Sequence, residues 1–109
     1  MGEISWGGAE GTLPAAAANL YLVPASTAAV VRQITLQNNT GGAETVTISK
    51  RAGGVDYPLF IVSLGDGHQA EFPANSGSVQ LDAGDSIRGD DGGSAAGIDY
   101  TISYAEEAL

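Results

Sequence analysis

Few residues in this chain have types and spacings that suit chemistry. His68 is the single histidine and the one imidazole available as a general base. Gly67 precedes it and Gln69 follows, and the chain has no G-x-S-x-G elbow for it to serve. It is expected to be a solvated side chain at a strand edge. Asp82, Asp85, Asp90, Asp91 and Asp99 concentrate late in the sequence. Carboxylates on neighbouring loops suit a hard cation such as Ca²⁺. The D-x-[DN]-x-[DN]-G spacing is missing, so a solvated acidic loop is the expected arrangement. Asp85 and Arg88 are expected to pair across the turn that they bracket. Arg88-Gly89-Asp90 spells an integrin-type tripeptide and is read as a strand end followed by a turn. Asn38-Asn39-Thr40 matches a glycosylation acceptor with no secretion signal beside it. P-loop, dinucleotide and HExxH patterns are absent. The expectation is a non-enzyme, with no catalytic residue, cofactor or metal site to assign.

Trp6 is the residue expected to contact a partner. It is the only tryptophan and is followed by Gly7-Gly-Ala-Glu-Gly11. A tryptophan buries roughly 150–250 Å² and dominates contact energetics. Two placements would bury it: an anchor on a neighbouring chain, or a lid over one end of its own domain. Tyr21 and Tyr57 are the other rings expected at the surface. Three rings make a poor sugar-binding platform.

The elements that must position these residues follow from periodicity. Residues 1–18 hold four glycines, one proline and the run Ala15–Ala18, with no period, and are read as an extended N-terminal arm. Met1-Gly2 resembles a myristoylation start, but Trp6 stands where Ser or Thr is needed. Residues 19–109 are read as the folded domain. Leu20-Tyr-Leu-Val-Pro-Ala25 is a strand that ends in a proline turn. In Ala29–Gln37, Ile34 and Leu36 point inward while Gln33, Thr35 and Gln37 point outward. Arg32 breaks the inward face. Asn38–Gly42 is turn chemistry, and Glu44–Arg51 is expected to return as the second strand of a hairpin. Ala52–Asp56 is another turn. Leu59-Phe-Ile-Val62 reads as a strand buried on both faces. His68–Phe72 is a more polar edge strand ended by Pro73, with a loop at residues 74–77. Leu81-Asp-Ala-Gly-Asp-Ser-Ile-Arg88 is strand, tight turn, strand, and residues 90–94 form a polar loop. Ile98, Tyr100, Ile102 and Tyr104 share an inward face. About eight short strands predict an all-β antiparallel β-sandwich or jelly roll.

Bulk composition narrows the function classes. The 109 residues suit one domain. Seventeen are alanine, and Leu, Ile, Val and Phe together number 24, so the core is thin and gains from a second subunit. With no cysteine, disulfides and thiolate chemistry are excluded, as suits a protein made in a reducing cytoplasm. A net charge of −9 repels phosphates, which argues against nucleic acid and anionic membranes as partners. No apolar run approaches the ~20 residues of a membrane span.

The order of Leu20–Ala25, Val30-Val31, Ile34–Asn38, Thr45-Val-Thr-Ile-Ser49, Leu81–Arg88 and Ile98-Asp-Tyr-Thr-Ile-Ser-Tyr104 resembles small β-sandwich virion proteins of tailed phages. The likeness is to capsid decoration, or cement, proteins. It spans residues 20 to 104. The resemblance implies a structural protein on the outer capsid surface of a virion. It would bind the major capsid protein and stabilise capsomer contacts, typically as a homo-oligomeric trimer, and would be made in the host cytoplasm. The alternative is a head-fibre, tail-fibre or baseplate module that binds a receptor or glycan.

Overall fold

Period-two alternation gives each strand one apolar face, and two sheets bury those faces against each other. The structure, a computed structural model, describes residues 4–72, 78–91 and 97–109. The expectations for Met1-Gly2, for Pro73 with the 74–77 loop, and for the loop beyond Asp91 lie outside the described residues. The strands are β1 (Ile4–Thr12), β2 (Ala18–Leu22), β3 (Thr27–Asn38), β4 (Glu44–Ala52), β5 (Val55–Leu64), β6 (Gln69–Phe72), β7 (Val79–Leu81), β8 (Ser86–Asp90) and β9 (Ile98–Ala108). One sheet runs β1-β9-β3, with β6 and β7 both pairing along the far side of β3. The other runs β2-β8-β4-β5. All pairings are antiparallel. The all-β sandwich is as expected.

Aliphatic residues from both sheets form the core. Val31, Ile34 and Leu36 of β3 and Ile98 and Ile102 of β9 face Val46 and Ile48 of β4 and Ile87 of β8, all fully buried. Each flank is closed by a stacked aromatic pair that bridges the sheets. Phe60 of β5 meets Phe72 of β6 with ring centroids 4.6 Å apart, and Tyr21 of β2 meets Tyr104 of β9 at 4.1 Å. Polar side chains tie the ends. Asn38, fully buried, donates through Nδ2 to the Gly42 and Leu64 carbonyls and accepts at Oδ1 from Thr40 N–H and Oγ1. Lys50 Nζ reaches from β4 to the Gln80 carbonyl on β7 at 2.9 Å.

The structure corrects several connections. The expected hairpin of Ala29–Gln37 with Glu44–Arg51 does not form, because β3 and β4 belong to different sheets and the turn carries the chain across the sandwich. The turns at Pro24 and at Ala83-Gly84 likewise change sheets. The true hairpin is β4–β5, where Ala52 pairs with Val55 around Gly53 and Gly54. Their φ values of +59° and +79° are those of a type I′ turn. Leu59–Val62 is not buried on both faces. It lies in the edge strand β5, where Leu59, Phe60 and Val62 pack partly on the core and Ile61 is exposed. An apolar run reads the same whether its second face meets protein or solvent.

Part of the segment read as an arm is strand β1. Its nine residues pair with β9 in unbroken register, from Ile4 opposite Glu107 to Thr12 opposite Asp99. The positions that share the inward face with Ile102 are Gly7, Ala9 and Gly11, so no apolar alternation is visible. A methyl group at Gly7 would lie 2.7 Å from the Tyr104 ring, and one at Gly11 3.2 Å from the Tyr100 hydroxyl. The glycines are seats for the two tyrosine rings.

Candidate functional site

Strand β3 reaches Val31 in register with Tyr104 and resumes at Gln33 in register with Ser103, which leaves Arg32 as an extra residue in a β-bulge. A bulge reverses the side-chain parity. Val31, Ile34 and Leu36 are therefore all buried, and Arg32 is exposed at a position where strict alternation points it inward. Released to the outer face, Arg32 lies over the Trp6 ring, its guanidinium carbon 5.3 Å from the ring centroid. A cation over an indole face is attracted by the ring quadrupole, worth about 0.5–1 kcal/mol at an exposed site.

Trp6 is 66% exposed. It stands on the outer face of its sheet, opposite Ala105, which in turn pairs with Val30. The lid placement does not occur, since the ring lies beside β9 and not over an end of the sandwich. Beyond Trp6, the residues Ile4, Ala28, Val30 and Ala105 line a shallow apolar concavity of about 130 Å³, with Glu106 and Glu107 at its margin. Farther along the same face the residues turn polar, through Ser103, Thr101, Gln33 and Thr35.

Behind this surface, Tyr21 is buried, which corrects the expectation of an exposed ring. Its hydroxyl donates to Glu106 Oε2 at 2.5 Å. Burial, then the hydrogen bond to Glu106 and that carboxylate's charge, with a lesser effect of Tyr104, hold its phenol above the ordinary value of 10.0. Tyr57 is 53% exposed on β5, on the opposite flank from Trp6.

The remaining candidates do not converge. His68 is exposed and closes a turn, with its N–H donating to the Gly65 carbonyl at 3.0 Å and its carbonyl accepting from Asn38 N–H at 3.0 Å. The five aspartates scatter. Asp99 binds Thr12 and Asn39 on the outer face of one sheet, Asp90 belongs to β8 in the other, and Asp91 is buried where its N–H meets the Pro14 carbonyl. Among the described residues, no three His, Cys, Asp or Glu side chains are grouped as a metal would need. Asp85 does not pair with Arg88. Asp85 Oδ2 accepts from Asp82 N–H at 2.9 Å and faces Lys50 at 4.0 Å. Arg88 donates to Asn19 Oδ1 and the Ala17 carbonyl and faces Asp56. Asp85 sits just before β8 and Arg88 three residues on, an odd spacing that puts the two side chains on opposite faces. The Arg88-Gly89-Asp90 tripeptide lies in the interior strand β8, with Gly89 buried. A methyl group at Gly89 would lie 2.7 Å from Ile48 Cδ1. Asn38, acceptor of the glycosylation pattern, is fully buried.

The Trp6–Arg32 contact was out of reach of residue-by-residue reading. The sequence marks only the break in the inward face, through Arg32 between Val30 and Ile34 in the alternation, and not the ring that the arginine meets.

No family model matches the chain, and no curated protein does. Among solved structures, a Bacillus endospore appendage, described as belonging to a family of disulfide-linked pili, matches with a TM-score of 0.59 at 22% identity. The match covers 98% of this chain and 88% of the other, and it concerns the fold.

Proposed function

We propose that this chain is a non-catalytic structural subunit that works by contact with other protein chains in a multi-copy assembly. One observation carries the reading. Among the described residues, the large apolar side chains left exposed are Ile4 and Trp6 on β1, Leu22 on β2, Val55, Tyr57 and Ile61 on β5, and Leu109 beyond β9. β1, β2 and β5 are sheet edges. The interior strands β3, β4, β8 and β9 expose none. Large apolar side chains left exposed along open sheet edges are available for contact with other protein chains.

Within that class the resemblance of residues 20–104 supports a capsid decoration protein, bound to the major capsid protein on the outside of a virion. The fold likeness to an endospore appendage supports a second reading, a subunit of a filament. A filament of this chain would have to hold without disulfides, since it has no cysteine. Electron microscopy of purified protein, with gold labelling of purified virions, tests both. Label on capsids is expected under the first reading and filaments of the protein alone under the second. A strict monomer at every concentration, found on neither particle nor filament, would overturn the proposal.

A further inference from the structure

We infer that β1 is a docking edge for β1 of a second copy, joined antiparallel about a two-fold axis at Gly8. This rests on the structural-subunit reading and specifies one contact within it. Free sheet edges are normally blunted by shortness, bulges, proline or lysine. The other edges here carry such devices. β2 has five residues and a register break between Asn19 and Tyr21. β5 contains Pro58 and pairs across a bulge. β6 and β7 have four and three residues. β1 has nine residues in unbroken register, with no proline and no basic residue. Among the described residues it is the unprotected edge, and the strand that matches it in length and regularity is its own copy.

The side chains suit that pairing. With Gly8 opposite Gly8, directly opposed residues share a face, so the two outer faces become continuous. Ile4 then stands opposite Thr12, and Trp6 opposite Glu10 of the second copy. Glu10 is exposed and would come beside the ring that carries Arg32. The contact thus forms two equivalent Trp6–Arg32–Glu10 groupings, one from each copy.

The chain has no cysteine of its own, so single substitutions read the register. Residues facing each other across an antiparallel pair have Cα atoms roughly 4.5–5.5 Å apart, within disulfide reach. Under mild oxidation Gly8→Cys should link to itself, Ile4→Cys should not, and a mixture of Ile4→Cys with Thr12→Cys should give the mixed dimer. In light scattering, Glu10→Lys and Arg32→Glu should each weaken self-association about 5- to 10-fold, and the double exchange should restore it to within about twofold. Multi-copy assembly of the wild type with no Gly8→Cys link and no effect of Glu10→Lys would overturn β1 pairing and leave the structural-subunit reading standing. A three-fold assembly in which β1 meets a different strand would give that result. A wild type monomeric at every concentration and absent from any assembly would overturn both.

Discussion

Tyr21 shows how much a single side chain holds together. Its ring stacks on Tyr104 across the sheets and its hydroxyl binds Glu106. Its folded-state pKa lies above 10.0, chiefly through burial. A raised pKa adds stability that is complete below the unfolded value and is lost as pH rises through the folded one. Stability is therefore expected to fall above pH 10.0, with this phenol ionising only as the chain unfolds. Absorbance titration against circular dichroism reads both together. Tyr21→Phe should cost about 1 kcal/mol at neutral pH for the lost hydrogen bond and should remove this part of the alkaline slope. Gly7 makes the complementary case. Gly7→Ala drives a methyl into the Tyr104 ring and is expected to cost about 1–3 kcal/mol, as overpacking does. Gly8→Ala meets only the Ile102 carbonyl at 3.5 Å, an ordinary contact, and should be neutral. Denaturant midpoints of the two variants decide it; equal midpoints would mean that the ring does not need the glycine.

At the scale of elements, β1 combines a fixed inner face with an open edge. Gly7, Ala9 and Gly11 seat it under Tyr104, Ile102 and Tyr100, while Ile4 and Trp6 remain exposed. Trp6→Ala is expected to leave the melting temperature of the isolated subunit within a few degrees, because an exposed side chain carries little folding energy, about 0.5 kcal/mol. Attachment to neighbouring chains should weaken. Tryptophan fluorescence follows the same event in the wild type, with water-exposed emission in the free subunit and a blue shift on assembly. Emission already blue in the free subunit would contradict the exposed ring.

At the scale of the molecule, shape and charge act together. The chain extends 47 × 27 × 20 Å and carries −9. All four basic residues are engaged, Arg32 on Trp6, Lys50 with Asp85, Arg51 with Asp56, and Arg88 with Asn19 and Asp56. The field outside is thus set by carboxylates. Copies repel over a Debye length, about 30 Å at 0.01 M salt and 8 Å at 0.15 M. Self-association is expected to weaken as salt is lowered, even where Arg32 and Glu10 meet locally, because nine charges per copy outweigh one short-range pair. Sedimentation equilibrium across that salt range measures it, and tighter association at low salt would contradict it.

The all-β class and most strand positions are legible in the residue pattern alone. Alternation and turn residues act within a few positions, and they gave Ile34 and Leu36, Val46 and Ile48, Ile98 and Ile102 their buried face. Tertiary structure decided which sheet each strand joined. A turn such as Asn38–Gly42 reverses the chain equally well within a sheet or across the sandwich, and only packing places β3 and β4 on opposite layers. It also decided the candidate site. Gly7 reads as linker until Tyr104, far along the chain, lies across it. Arg32 reads as a flaw in an inward face until the bulge turns it onto Trp6. Both depend on contacts between residues distant in sequence, and period and propensity carry no information about those.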